Sequence, residues 1–210
     1  MIPTLSPPEP LLIVCGGSSS RMGSPKPLLR WQEHTLIARQ VADALPHRPV
    51  WLAAGGQHYA DTEGAGYLPD ALPQAGPLGA ILPALEQAGE LGYSGLYVLS
   101  CDTLLLPEQL IGRLNQAADS DIWPNGLTAL ADADNPDHLH PLLAHWPTGA
   151  AAAIRHYLAD GGRRVMHSIA DLPRQTVALP QTWQHLSNFN TPAEFERAQT
   201  EYTQLCHSAI

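Results

Sequence analysis

The sequence predicts an α/β domain built on a mostly parallel sheet flanked by helices. Three observations support that class. Short, largely apolar runs at Leu11–Cys15, Val50–Ala54 and Leu96–Asp102 end in glycines or in a polar residue, the pattern of strands buried on both faces. Helical patterns alternate with these runs, which argues for βαβ units. A length of 210 residues, 44 % of them hydrophobic, suits one domain with a substantial core.

The elements follow in order along the chain. Met1 to Pro10 holds four prolines and no basic stretch, so residues 1–10 read as a flexible N-terminal tail rather than a signal peptide. Residues 11–210 then form a single domain. Leu11–Cys15 is the first strand, stopped by Gly16-Gly17, and a polar loop runs from Ser18 to Pro27. Thr35 is a suitable N-cap for a helix carrying Leu36, Ile37, Val41 and Leu45, which Pro46 ends. Val50–Ala54 is the second strand. Pro77 to Ala88 reads as a helix with Leu78, Ile81, Leu82 and Leu85 on one face. Leu96–Asp102 is the third strand, and Pro107 opens a helix through Leu110, Ile111 and Leu114. The second half is less regular: a strand over Leu142–Trp146, an alanine-rich helix over Gly149–Leu158, and a short extended piece at Val177–Leu179. The last helix starts near Pro192, with Thr191 as N-cap and Glu194 in its first turn.

Composition excludes several functions. The formal charge of −9 at pH 7 argues against nonspecific nucleic-acid or anionic-membrane binding, because both need a basic face. Cys15, Cys101 and Cys206 are scattered, with no CxxC pair, so neither a disulfide framework nor a cysteine zinc site is indicated. No apolar run approaches the roughly 18–20 residues of a membrane span. A cytoplasmic location is expected from the cysteine usage.

The chemistry points to the segment Gly16-Gly17-Ser18-Ser19-Ser20-Arg21-Met22-Gly23-Ser24-Pro25-Lys26-Pro27. It starts at the carboxyl end of the first strand, where open α/β sheets bind ligands. Its glycines let backbone N–H groups approach a polyphosphate, and Arg21 and Lys26 add positive charge. The spacing fits neither a P-loop nor the dinucleotide fingerprint. Lys26 is the only lysine in the chain, so an acidic protein concentrates its charge here.

Other polar positions read two ways. Asp102, at the end of an apolar strand, either caps a turn or holds a cation. Asp70 precedes the turn Gly76-Pro77-Leu78-Gly79 and is either a turn residue or a ligand contact. Asn188 and Asn190 alternate across Phe189, organising the turn into the last helix or facing a ligand. His138 and His140, taken with Asp137, lack a third ligand at metal-site spacing. Arg163-Arg164 complements a helix C-terminus or holds an acceptor group. Cys15 and Cys101 read as packed thiols.

Val14-Cys15-Gly16-Gly17 through Arg21-Met22-Gly23 to Lys26 resembles the signature of the molybdopterin nucleotidyltransferases, part of the wider group of Rossmann-like NTP transferases. The likeness continues through Asp70 with Gly76-Pro77-Leu78-Gly79, Leu99-Ser100-Cys101-Asp102, His140-Pro141-Leu142 and Asn188-Phe189-Asn190-Thr191-Pro192. It implies a three-layer Rossmann-like nucleotidyltransferase fold and transfer of GMP from GTP to the terminal phosphate of molybdopterin or the molybdenum cofactor. Lys26, Arg21 and Asp102 are the implied catalytic residues. Val14, Cys15, Gly16, Gly17, Lys26, Asp70 and Asp102 are implied to bind the nucleotide, Asn188 and Asn190 the acceptor, and Asp102 a Mg²⁺ cofactor. Molybdoenzymes or other proteins of molybdenum cofactor biosynthesis are the implied partners.

The glycine pair Gly16-Gly17 and the Gly76-Pro77 turn favour the guanine-using branch. Ser24-Pro25-Lys26-Pro27 is more like the cytidylyl branch, and Gly55 stands where the guanylyl branch usually has asparagine. CTP, a sugar-phosphate acceptor, and a noncatalytic carrier of the cofactor are the alternatives.

Overall fold

The structure, a computed structural model, describes residues 7–16, 22–72, 74–118 and 120–208. In chain order the elements are β1 (Leu11–Val14), β2 (Arg30–Trp31), β3 (His34–Thr35), α1 (Leu36–Ala44), β4 (Val50–Ala53) and β5 (Gly66–Leu68). They continue with α2 (Pro77–Glu90), β6 (Gly95–Ser100), α3 (Pro107–Leu114), β7 (Leu127–Ala131) and β8 (Leu139–Pro147). The last are α4 (Ala151–Ala159), α5 (Val165–Ser168), β9 (Arg174–Ala178) and α6 (Pro192–Ser208).

Seven strands form one sheet in the order β5-β4-β1-β6-β8-β7-β9. All its neighbouring pairs are parallel except those involving β8, which runs against both β6 and β7. The mostly parallel sheet expected from the sequence is therefore present. Because successive side chains leave opposite faces of a strand, β1 supplies both cores. Leu11 and Ile13 pack with α1, α3 and the Phe195–Tyr202 stretch of α6 on one face. Leu12 and Val14 pack with α2 and α4 on the other. The result is three layers, with the sheet in the middle.

Local chemistry explains the element ends. Thr35 caps α1 as expected, its hydroxyl accepting from the Ala38 N–H at 3.3 Å. Pro83 sits inside α2 and cannot bond the Gly79 carbonyl one turn back. That oxygen accepts instead from the Ala71 N–H at 2.8 Å, docking the segment that carries Asp70 onto the helix. Pro141 lies inside β8, a central strand, where its missing N–H would break a ladder. The β7–β8 register shifts at that place, passing from Ala129↔Ala144 to Leu130↔His140.

Three expectations change. The extended piece near Val177 is a full strand beginning at Arg174, and β7, β5 and α5 were not expected. The tail expected over residues 1–10 is pinned at its end. The Tyr97 N–H donates to the Pro10 carbonyl at 2.9 Å, and the Glu9 carboxylate accepts from buried His145 at 2.8 Å.

Candidate active site

The site lies where β1 and β6 end, side by side in the middle of the sheet. A cavity of about 780 Å³ opens there. Val14, Cys15, Gly16 and Ser24 line one wall, and Asp70, Gly76 and Pro77 line another. Four of the residues expected to bind nucleotide, Val14, Cys15, Gly16 and Asp70, thus share one pocket with the Gly76-Pro77 turn. Gly17 and Arg21 lie outside the described residues.

The wall at Gly76 follows from backbone geometry. Gly76 precedes α2 with φ 62° and ψ −154°, a region open essentially to glycine alone. No side chain caps the helix; Pro77 has no N–H and the Gly79 N–H bonds the Gly76 carbonyl at 3.0 Å, so it is the helix dipole that favours negative charge at this end of the pocket. Gln57, Tyr59 and Gln74 also line the cavity and were missed. They lie in stretches of irregular structure with no motif spacing to mark them. Burial, with the Cys15 and Cys101 sulfurs nearby, pushes the Tyr59 phenol up to about 12, so it stays protonated through the neutral range.

Beside this pocket the polar residues of three distant segments meet. Lys26 Nζ donates to Asp102 Oδ2 at 2.9 Å and to Asn190 Oδ1 at 2.9 Å. Asn190 Nδ2 reaches Asn188 Oδ1 at 3.4 Å, and Ser100 Oγ donates to the other Asp102 oxygen. The Lys26 and Asp102 side chains are 14 % and 23 % exposed, so the pair is shielded yet reachable from solvent. Asp102 is not simply a turn cap: its carboxylate faces a cation already.

Each partner is held from behind. The Phe189 N–H donates to the Asp102 carbonyl at 3.1 Å, joining the Asn188–Asn190 segment to the end of β6. Thr103, next in sequence, donates through Oγ1 to the Leu186 carbonyl at 2.7 Å, and its own carbonyl accepts from buried Gln40 of α1 at 3.0 Å. Glu194 accepts from the Asn190 and Thr191 N–H groups at 2.6 and 3.2 Å, while Thr191 Oγ1 accepts from the Glu194 N–H at 3.3 Å. This capping box was expected at the start of α6, and it fixes Asn190 as well as the helix.

Asp102 suits Mg²⁺, which binds through one or two carboxylates and leaves its other positions to phosphate oxygens and water. The Lys26 ammonium faces Oδ2 of that carboxylate. Cys15 and Cys101 are both buried. Contact with Cys15 and burial push the Cys101 thiol well up, so it is a packed thiol and not a nucleophile. Arg163 donates to the Leu158 and Gly162 carbonyls at 3.1 and 2.6 Å, capping α4 instead of facing the site. The two histidines paired with Asp137 in the sequence find a different partner, Asp132, described below.

A mostly parallel sheet with a cleft of about 780 Å³ and a lysine–aspartate pair at its strand ends has the Rossmann-like fold of the nucleotidyltransferases, and fold comparison agrees. The chain superposes with TM-score 0.73 on molybdopterin-guanine dinucleotide biosynthesis protein A from Archaeoglobus fulgidus, at 18 % identity, covering 93 % of this chain and 99 % of that one. It superposes with TM-score 0.64 on 2-C-methyl-D-erythritol 4-phosphate cytidylyltransferase from Thermus thermophilus, at 14 % identity, covering 90 % and 96 %. Sequence comparison narrows the class: the profile of the MobA-like NTP transferase domain matches residues 11–176, and the chain belongs to that family. It is 32 % identical to the molybdenum cofactor guanylyltransferase of Rhodobacter capsulatus, covering 92 % of this chain and 96 % of that protein. Identity to the probable molybdenum cofactor guanylyltransferase of Rhodopirellula baltica is 30 %, covering 89 % and 90 %.

Proposed function

We propose that this chain is a molybdenum cofactor guanylyltransferase, transferring GMP from GTP to the terminal phosphate of molybdopterin or the molybdenum cofactor and releasing pyrophosphate. The observation that carries this reading is the Lys26–Asp102 pair beside the open pocket, in a family whose guanylyltransferase relatives match nearly end to end.

The acceptor is a phosphate monoester whose second pKa is about 6, so near neutral pH it is mostly a dianion. It needs no general base. The difficulty is to bring one anion in line with another. On this reading Lys26 leaves Asp102 for the nucleotide's phosphates and stabilises the charge that develops on their oxygens. Arg21 adds a second positive charge to the same phosphates. Asp102, oriented by Ser100, holds Mg²⁺, which supplies charge neutralisation on phosphate oxygens when bound. Asn188 and Asn190, fixed by the Glu194 box, present amides to the acceptor's phosphate. The backbone from Val14 to Gly17 and the Gly76-Pro77 turn read the base, with Asp70 beside them. The reaction belongs in the cytoplasm, and its product passes to molybdoenzymes or to other proteins of cofactor biosynthesis.

The test is pyrophosphate release with GTP and with CTP, each with and without molybdopterin. A site that pairs buried groups with one base leaves them unpaired with another, at about 1–3 kcal/mol each. GTP is expected to exceed CTP in kcat/KM by at least roughly 100-fold, about 2.7 kcal/mol. Preference for CTP would move the chain to the cytidylyl branch. Activity with neither would overturn the transferase reading.

A further inference from the structure

Asp132, His138 and His140 come together at the β7–β8 hairpin, and no step of the proposed transfer uses them. Asp132 follows the last residue of β7, and His140 is the second residue of β8. The connection between them is closed by backbone bonds: the Asn135 N–H donates to the Asp132 carbonyl at 3.2 Å, the His138 N–H to Asn135 at 2.9 Å and the Asp132 N–H to His138 at 3.2 Å. The register shift beside Pro141 sets His140 opposite Leu130. His138 and His140, two residues apart, lie with ring centroids 5.2 Å from each other. His138 Nδ1 is 2.5 Å from Asp132 Oδ2, and His140 Nε2 is 2.8 Å from Asp132 Oδ1. All three donor atoms lie within 4.8 Å of one another, and among the described residues this is the one such group of three.

We propose that Asp132, His138 and His140 form a binding site for one divalent transition-metal ion of the zinc or cobalt kind. The two imidazole nitrogens are borderline donors that, beside one carboxylate, select such ions over Mg²⁺, which prefers oxygen. Bonds of about 2.0–2.1 Å in a tetrahedral site separate ligand atoms by roughly 3.3–3.4 Å. The two Asp132 contacts need to open by less than about 1 Å to reach that spacing. His138 is 62 % exposed and Asp132 25 %, so the ion enters from solvent without unfolding the hairpin.

Three protein ligands leave a position open. Asp132 also lines a second cavity, of about 270 Å³, with Asp134, Leu179, Gln181 and Gln184. A water or an anionic group there completes the coordination, with the glutamine amides as its hydrogen-bond partners. The cavity borders the stretch that follows β9 and leads to Asn188. The site therefore stands at the same end of the sheet as Asp102, on β8 and β7, the two strands next to β6.

The test needs neither nucleotide nor acceptor, so its outcome is independent of the transferase reading. The full chain, stripped with a chelator, is titrated with Co²⁺ and then with Zn²⁺ in excess Mg²⁺. One equivalent of Co²⁺ is expected to bind with the visible absorption of a low-symmetry site, and Zn²⁺ is expected to displace it. Asp132→Asn, His138→Ala and His140→Ala are each expected to weaken Zn²⁺ at least tenfold. His156→Ala, which removes a surface histidine 82 % exposed beside Asp160, is expected to change nothing. The exposure of His138 keeps its variant folded, which a melting curve in chelator checks. Failure to bind one equivalent, or binding that all three variants leave intact, would overturn the site.

Discussion

Lys26 and Asp102 form an ion pair, and that pairing shapes what their replacement does. Lys26 lies 5.9 Å from the Phe189 ring centroid and shares its ammonium between Asp102 and Asn190. Lys26→Ala leaves Asp102 with Ser100 and with access to water, so the chain is expected to fold. Turnover, followed as pyrophosphate release, is expected to fall at least tenfold, or about 1.4 kcal/mol of transition-state stabilisation. Asp102→Asn is expected to remove most activity, with excess Mg²⁺ restoring only part; full activity in that variant would limit Asp102 to orienting Lys26. Gly55 lines the pocket at φ 57° with open space where a Cβ would stand. Asparagine tolerates that left-handed conformation better than most residues. Gly55→Asn is therefore expected to fold normally and to raise kcat/KM for GTP relative to CTP, measured side by side. Lys26 and Asp102 stood out because charge is conspicuous in a loop or at the end of an apolar strand, whereas Asp70 was singled out only by the family resemblance. Tyr59 and Gln74 were not legible, because such residues look the same on any surface until the chain closes over them.

Strong periodicity made some elements plain. β1 and β4 are unbroken apolar runs buried along their length and β6 is buried from Gly95 to Leu99, and α1 and α2 began where Thr35 and Pro77 said they should. β7 was hidden because Leu-Thr-Ala-Leu-Ala mixes alanine with only two large apolar residues, although all five are buried. β5 has three residues at the sheet edge, one of them glycine, which is too little pattern to read. The proline inside α2 is a cost the local sequence does not justify. A proline in a helix interior destabilises by on the order of 3 kcal/mol, and here it leaves the Gly79 carbonyl to the Ala71 amide. Pro83→Ala is expected to raise the melting temperature while loosening the Asp70 segment, because two N–H groups then share one acceptor. KM for the nucleotide is expected to rise about threefold, the weight of a hydrogen bond worth roughly 0.5–1.5 kcal/mol. Unchanged KM would show that the Asp70 segment is held by other contacts.

At the scale of the whole molecule, the N-terminal segment closes the fold from the edge opposite the site. Glu9 accepts from His145 and Ser94, and its backbone carbonyl accepts from Arg48 at 3.1 Å. Arg48 also forms a two-pronged pair with Glu108 at 2.7 and 3.0 Å. Trp123 stacks on His145 with centroids 4.0 Å apart. Burial works against the Glu9 charge, but hydrogen bonds and charge from His145, with Ser94 and the Gly95 backbone, hold its pKa below the ordinary 4.5. A carboxyl depressed by folding stabilises the protein above its unfolded-state value, and that stability disappears as pH falls through the folded-state value. Wild type is expected to melt higher than Glu9→Gln at neutral pH, with the gap closing on acidification below about 4.5. A gap constant down to pH 3 would assign the effect to packing. None of this was legible in a proline-rich stretch whose partner, His145, stands 136 residues away in sequence.

The lone reversed strand, β8, divides the edge of the sheet into unlike halves. On the β1 and β4 side the cleft is walled by glycine backbone and the start of α2, so its shape there is written in main-chain geometry. Beyond β6 the surface is made of asparagine amides, a hairpin and glutamines, recognition written in side chains. Point mutation edits side chains readily and rarely moves a backbone without cost. On this architecture the wall beyond β6 therefore changes more readily than the cleft between β1 and α2.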